Sequence, residues 1–192
     1  MTRQFNNICY FIIAEILRHK TPKTRARIID YFIKVAKKLF SLNNINSMKS
    51  IISALQSSPI YRLRDSFELL SKKNIDLFQK YEKFFSEDNN RKQLRSHIDT
   101  SQIPCIPYLG IYLTDLIYVD SLYPTLETQH KERLERMCCI IKSIQKFQES
   151  KYGSYCIVIE EFVDINPQLI DFFLKDRYID ELKKFVDDRF YQ

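Results

Sequence analysis

The residue types that most often carry chemistry are thinly spread along this chain of 192 residues. Its five cysteines make an odd number and include no C-x-x-C pair, and they are Cys9, Cys105, Cys138, Cys139 and Cys156. This pattern argues against both a disulfide framework and a zinc knuckle. A metal site would have to gather His130 and the last three cysteines without any ligand-spacing motif. We therefore expect reduced, mostly buried thiols and no metal.

Nucleotide binding and covalent catalysis also lack a visible site. The chain contains neither G-x-x-x-x-G-K nor G-x-G-x-x-G, so it offers no loop that would cradle the phosphates of a nucleotide. None of its three histidines has a sequence-near Ser, Cys or Asp in an arrangement typical of a nucleophilic triad. We expect no cofactor.

The charge is positive overall, +6, and it is unevenly distributed. One stretch holds a single acid, Asp30, against Arg18, Lys20, Lys23, Arg25, Arg27, Lys34, Lys37 and Lys38. From Glu160 onward acidic residues predominate. The basic stretch could attract nucleic acid, acidic lipid headgroups or an acidic protein. We favour a solvated helix face, because the neighbouring aromatic residues Tyr31, Phe32 and Phe40 have the spacing of a core.

Composition favours one all-α domain over residues 1–192. Two Gly and six Pro are few for a sandwich or barrel, whose strands need frequent turns. A chain of this size buries about 70% of the surface that it exposes when unfolded, so it needs neither disulfides nor metals to hold its core. No apolar run reaches the roughly 18 residues of a membrane span, and no apolar stretch typical of a signal peptide follows Met1. We expect a soluble, unexported protein.

Apolar periodicity and capping residues predict the elements. Thr21 caps a helix that begins at Pro22, Ser47 caps another that ends at Gln56, and Ser58 caps a third. One predicted helix follows Ser47 and ends at 56, and another begins at 59. The other predicted helices are 5–17, 22–42, 74–85, 90–98, 108–120, 125–149, 167–174 and 180–190, and residues 155–159 are predicted to be extended. Leu122-Tyr123-Pro124 is short enough to join two of them as an antiparallel hairpin at about 108–149.

A set of short motifs runs along the chain in a fixed order. They are Phe5-Asn6, Cys9, Phe11, Glu15-Ile16-Leu17, Arg25, Leu42-Asn43-Asn44-Ile45-Asn46, Ser57-Ser58-Pro59-Ile60-Tyr61-Arg62-Leu63, Asn90 with Arg95, Ile106-Pro107-Tyr108-Leu109-Gly110-Ile111-Tyr112-Leu113-Thr114-Asp115-Leu116, Ile144-Gln145-Lys146-Phe147-Gln148 and Tyr155. In order and spacing the set resembles the catalytic domain of Ras-family guanine-nucleotide exchange factors of the Son-of-sevenless type. The resemblance covers nearly the whole chain from Phe5 onward.

The resemblance implies a helical bowl that grips the second switch of a small GTPase, and a protruding hairpin that displaces the first switch. In the family, an apolar residue and an acid of the first hairpin helix intrude where magnesium and phosphates sat; here these correspond to Ile117 and Asp120. A P-loop GTPase holds its nucleotide largely through phosphate contacts and Mg²⁺, so both intrusions oppose binding. The implied exchange makes and breaks no bond, so the protein is not an enzyme in the covalent sense.

The resemblance implies roles for further residues whose positions match its motifs. Tyr108 supports the base of the hairpin, and the implied partner-binding residues are Asn6, Gln56, Tyr61, Thr114 and Arg136. Plainer interpretations stay open: Tyr61, Tyr108 and Ile117 could be core residues, and Asp120 could be a solvated helix end. The asparagine-rich turn at 43–46 is expected to be structural, with its amides bonded to backbone.

Three departures from the family pattern bear on function. The chain holds no room for the helical segment that usually precedes Phe5, so we expect a minimal factor, a fragment or a degenerate copy. The hairpin is shorter, with His130-Lys131 replacing an Asn-Phe pair and Ser121 standing where a second carboxylate is common. Lys49 takes an apolar position of the bowl, which alters contact with the second switch.

The implied partner is a Ras-family GTPase of Ras, Rap or Ral type, preferably nucleotide-free, bound by a monomer in the cytoplasm. The source could be a eukaryotic microbe or a bacterium that delivers the factor to its host's cytoplasm. Membrane contact is expected only through the GTPase. The alternative is a GTPase-binding or scaffold module with this fold and no exchange activity, and a basic nucleic-acid binder ranks third.

Overall fold

The computed structural model describes residues 2–123 and 131–148, and within them the regular elements are all α-helices. Their bounds are α1 Thr2–Leu17, α2 Pro22–Ser41, α3 Ile45–Gln56, α4 Ser58–Tyr61, α5 Arg64–Glu68, α6 Lys72–Phe84, α7 Asp88–Thr100, α8 Gly110–Leu122 and α9 Lys131–Gln148. The all-α prediction is confirmed. The elements predicted at 155–159, 167–174 and 180–190 lie outside the described residues.

The junction of α1 and α2 follows the local sequence closely. The Thr21 hydroxyl accepts a hydrogen bond from the backbone N–H of Thr24, and Pro22 occupies the first turn, as predicted. The Arg25 guanidinium donates to the carbonyl oxygen of His19 at 2.7 Å, which ties the second helix to the end of the first. The predicted cap is therefore confirmed, and Arg25 strengthens the turn.

Helix α3 forms the centre of the bundle, and α1, α2, α4 and α6 pack around it. Nine of its twelve residues are buried: Ile45, Asn46, Ser47, Met48, Ser50, Ile51, Ile52, Ala54 and Leu55. The predicted cap Ser47 is wrong, because the Asn44 side chain accepts from the N–H of Ser47 at 3.1 Å and the helix begins at Ile45. Asn44 takes the role because it directly precedes the first helical residue, so its side-chain oxygen can accept from the free N–H three residues later.

The asparagine turn before α3 is held by a distant segment. The backbone N–H groups of Ile45 and Asn46 both donate to the carbonyl oxygen of Ile106, and the N–H of Ile106 donates to the Asn43 oxygen. The Asn43 side-chain amide donates to the Gln102 carbonyl, 3.3 Å away. The structural role predicted for this turn is confirmed, and the extended segment before α8 is thereby fixed to the centre of the bundle.

Smaller corrections concern helix starts and thiols. Helix α4 begins at Ser58 itself, one residue before the predicted start, with Ser57 preceding it; and α6 begins at Lys72, capped by the Ser71 hydroxyl. The thiols are not mostly buried, since Cys138 and Cys139 are exposed. They follow the buried Met137 directly, and their positions on α9 are about 100° and 200° round the helix from it. In the described residues, no helix has the length and apolarity needed to cross a membrane.

Candidate functional site

The hairpin of α8 and α9 is built in two parts. Near its base, Ile111 and Tyr112 of α8 and Ile144 of α9 belong to the main core. Further out, Leu116 and Val119 pack with Met137 in a small separate core. Among residues 2–123 and 131–148, the outer part of the hairpin therefore packs on itself and joins the main core at its base.

Helix α8 carries apolar residues on all sides, and two of them face water. The side chains of Ile117 and Tyr118 are 62% and 60% exposed. Thr114, exposed on the same face, precedes them by three and four residues, and its hydroxyl donates to the Gly110 carbonyl at 2.7 Å. A helix that is apolar all round is normally covered, so this face is suited to contact a partner. Ile117 is exposed and is not a core residue.

Asp120 lies on the side of α8 that faces the returning helix. Its Oδ1 accepts a hydrogen bond from the Arg133 guanidinium at 2.8 Å, and the two side chains are 42% and 28% exposed. Asp120 is thus not simply a solvated helix end, because it braces α8 against α9. Part of its carboxylate still faces solvent.

Arg136 lies one turn further along α9 and is exposed. Its guanidinium carbon is 6.0 Å from the centre of the Tyr123 ring, in a cation–π arrangement. The Tyr123 hydroxyl donates to a carboxylate oxygen of Glu132 at 3.1 Å. Arg136 therefore lies close to the described end of α8 and leaves its charge accessible.

Tyr108 occupies the base of the hairpin, directly before α8. Its ring centre is 6.1 Å from that of Phe5 on α1, and burial raises the pKa of its hydroxyl. A Cβ at Gly110 would lie 2.4 Å from the Tyr108 ring, so only glycine lets the helix begin this close to the ring. Tyr108 thus joins the start of α8 to α1.

A charged pair that sequence reasoning did not connect holds α8 to the bundle. The Arg95 guanidinium of α7 donates two hydrogen bonds to the Asp115 carboxylate, at 2.8 and 2.7 Å. Arg95 also donates to the Asn90 carbonyl at 2.9 Å, and the bonds to Asp115 raise its pKa. Asp115 lies immediately before Leu116, where the separate outer core begins. This bidentate pair therefore ties the middle of α8 to the bundle.

Lys49 of α3 occupies the position where the resemblance implies an apolar residue. Its ammonium nitrogen lies 5.0 Å from the centre of the Phe85 ring, and desolvation followed by the charge of Arg91 lowers its pKa. Arg91 is itself paired with Glu87 at 2.8 Å. Lys49 is half-buried, so its charge is only partly available to a partner.

The remaining predicted contact residues lie on other helices. Gln56, exposed at the end of α3, donates its side-chain N–H to the Glu82 carboxylate of α6 at 3.3 Å. Tyr61 of α4 is 70% exposed, and Asn6 is exposed on α1. All three side chains are accessible to a partner. Tyr61, like Ile117, is therefore not a core residue.

Sequence reasoning missed two exposed aromatic residues. Tyr118 shares the outer face of α8 with Ile117, and Tyr10 of α1 is 67% exposed, one turn beyond Asn6. The signal for Tyr118 was present in the sequence, because α8 has too many apolar residues for one buried stripe. In the described part of the chain, no group of three or more His, Cys, Asp or Glu side chains is placed to hold a metal ion.

Comparison with known proteins supports the family resemblance that the sequence motifs indicated. The model of the RasGEF domain family matches residues 1–137. The chain is 39% identical over 194 residues to the mouse Ras-specific guanine nucleotide-releasing factor RalGPS2, an alignment that covers 100% of this chain and 32% of that protein.

Two further relatives agree. The chicken Ras-specific guanine nucleotide-releasing factor RalGPS1 is 39% identical over 194 residues, covering 100% of this chain and 32% of that protein. The mouse Ras-specific guanine nucleotide-releasing factor 1 is 30% identical over 181 residues, covering 93% of this chain and 14% of that protein. The chain therefore spans about a third or less of the length of these relatives.

Proposed function

Because the chain belongs to the RasGEF domain family, we propose that it is a guanine-nucleotide exchange factor for a small GTPase of the Ras family. The relatives named above are called Ras-specific guanine nucleotide-releasing factors, which supports this class of partner. The proposed factor acts as a monomer in the cytoplasm. Its choice among Ras, Rap and Ral types depends on surface complementarity.

The exposed face of α8 is the observation that carries the proposal. Ile117 and Tyr118 present apolar surface to water on a hairpin whose outer part has its own small core in the described part of the chain. Burying an isoleucine of this kind against a partner yields about 1.5–3 kcal/mol, so the exposure favours a protein that binds here. A hairpin that is fixed at its base and apolar on its outer face is suited to enter a cleft.

The proposed mechanism is displacement of the nucleotide by this face. Ile117 enters the site of the magnesium ion and the phosphates, where an apolar side chain offers no ligand to either. Asp120 follows on the same helix, oriented by its bond to Arg133, and the solvent-facing part of its carboxylate repels the phosphates. Tyr108 at the base, with Arg95 and Asp115, holds the hairpin in position.

The proposed partner contacts lie around this hairpin and across the bundle. Thr114 and Arg136 contact the GTPase from α8 and α9, while Asn6, Gln56 and Tyr61 contact it from α1, α3 and α4. Exchange then follows from linkage: a factor that weakens the affinity for nucleotide is itself displaced when new nucleotide binds. The cycle makes and breaks no covalent bond.

The test is the release of a fluorescent guanine nucleotide from a panel of Ras, Rap and Ral proteins. Unlabelled nucleotide is present in excess, and the chain is added or omitted. We expect faster release from at least one member, and loss of that acceleration in Ile117→Glu. The matched control is Ile103→Glu, which places the same charge on another exposed isoleucine, 50% exposed and outside α8.

The outcomes separate the possibilities. Retention of full activity by Ile117→Glu would show that the wedge assignment is wrong. An equal loss in both variants would point to general disruption by the added charge. Circular dichroism of each variant tests whether the helices persist.

A second candidate function is binding of the GTPase without exchange. It is favoured by the pairing of Asp120 with Arg133, which partly neutralises the acid that the family resemblance places against the phosphates. It predicts that the chain captures nucleotide-free GTPase and leaves the release rate unchanged. Clear acceleration of release would exclude it.

A further inference from the structure

The outward side of α2 is almost entirely cationic. Its exposed charged residues are all basic, and we refer to them as the basic face: Lys23, Arg27, Lys34 and Lys37. They recur at intervals of three, four and seven residues, so they lie along one side of a helix. Twenty residues at 1.5 Å each give this helix a length of about 30 Å. The spacing that predicted a solvated helix face thus gives an extended row of positive charge.

The single acid on α2 pairs with one cation of this row, Lys34, and leaves the other three. The carboxylate of Asp30 is bonded to the Lys34 ammonium, 2.5 Å away, and it also accepts a hydrogen bond from the Asn74 amide of α6. Both contacts of the Asp30 carboxylate are therefore made within the protein. The charges of Lys23, Arg27 and Lys37 have no ion pair among those described.

The neighbouring helix α6 extends the positive surface. Asn74 contacts Asp30. Seven and ten residues after Asn74, the ring centres of Tyr81 and Phe84 lie 5.8 and 5.5 Å from that of Phe40, so α2 and α6 lie side by side and run in the same direction. The exposed residues of α6 include a single acid, Asp76, and four cations, Lys72, Lys73, Lys80 and Lys83. The two helices therefore present one charge sign over most of their solvent side.

The chemistry of this surface favours a flat, diffuse anion. Phe32 is buried, while Tyr31 and Phe40 are half-buried against the core, so α2 has no exposed ring on which a nucleic-acid base could stack. No large apolar side chain of α2 is exposed, and protein interfaces usually need such an anchor. Long flexible cationic side chains distributed over about 21 Å, from Lys23 to Lys37, are the arrangement that binds acidic headgroups.

We propose that the basic face of α2 docks this domain directly on an anionic phospholipid membrane. This departs from the expectation that membrane contact comes only through a bound GTPase. The residues involved lie on α2, separate from the α8 face, so the proposal holds whether or not the domain catalyses exchange.

The experiment is sedimentation of the purified full chain with vesicles. One set contains phosphatidylcholine alone and the other also contains phosphatidylserine, at an ionic strength of about 0.15 M. Since each basic residue near the surface contributes roughly fivefold to binding, we expect Lys23→Gln/Arg27→Gln/Lys37→Gln to bind about a hundredfold more weakly. The matched control removes three exposed lysines elsewhere, in Lys92→Gln/Lys131→Gln/Lys142→Gln, and is expected to keep most of the binding.

Each outcome decides the proposal. Binding to the phosphatidylserine vesicles that the first variant loses and the control keeps would support it. An equal loss in both variants would show that only net charge matters, and absence of binding to either vesicle would also overturn the proposal. Tighter binding to a random oligonucleotide than to the anionic vesicles at the same salt would instead indicate a nucleic-acid partner. Both variants change only exposed side chains, and circular dichroism verifies their folding.

Discussion

Asp115→Asn tests whether the tie between α7 and α8 positions the hairpin. The substitution keeps the shape of the side chain but removes the charge that accepts both hydrogen bonds from Arg95. The hairpin would then depend on its base contacts alone, including Tyr108 against Phe5. We expect slower nucleotide exchange by a domain that remains folded.

The size of the expected loss in exchange rate follows from the partial burial of the Arg95–Asp115 pair. The Arg95 and Asp115 side chains are 26% and 30% exposed, between the fully exposed and the buried cases. Breaking a pair costs about 0.2–1 kcal/mol at the surface and about 3–5 kcal/mol in the interior. A cost of about 2 kcal/mol is intermediate and corresponds to an exchange rate up to about thirtyfold lower. Such a cost leaves a domain of ordinary stability folded.

The assay compares nucleotide release with the free energy of unfolding in urea for three variants. Glu135→Gln is the control, because it breaks the Lys131–Glu135 pair, 89% and 62% exposed, on the same hairpin. It should change the rate less than about twofold. The charge swap Arg95→Asp/Asp115→Arg should recover part of the lost activity. Full exchange activity in Asp115→Asn, or an equal loss in Glu135→Gln, would refute the positioning role.

Two further predictions concern the base of the hairpin and the thiols. Gly110→Ala forces a Cβ to within 2.4 Å of the Tyr108 ring, so the free energy of unfolding in urea should fall by about 1–3 kcal/mol. The loss should be smaller when Tyr108→Ala is also present, and strictly additive losses would contradict the contact. A maleimide at neutral pH should label the exposed Cys138 and Cys139 first, since burial raises the pKa of Cys9 and Cys105 to about 11 and keeps these thiols protonated. Peptide mass spectrometry measures the order, and equal labelling of these four of the five cysteines would disprove the burial of Cys9 and Cys105.

The hairpin illustrates how far sequence reasoning reaches. The apolar spacing and the short connection at 122–124 predicted its two helices, and the structure describes them at Gly110–Leu122 and Lys131–Gln148. The spacing did not reveal which apolar residues face water. Cys138 was expected among the mostly buried thiols and is exposed, whereas Ile140, two residues further along α9, packs against the hairpin core. Neighbouring positions on a helix differ by about 100°, so the position of the partner helix decides which of them is covered.

The sequence by itself determined the helical class, most helix positions and the cap at Thr21, because these depend on hydrogen bonds and periodicity within a few residues. Its ordered motifs also pointed to the family. Tertiary structure alone decided that Asp120 pairs with Arg133 and that Arg95 pairs with Asp115, residues 13 and 20 positions apart. Such pairs form only when two helices lie at a particular distance and rotation, which local sequence does not specify.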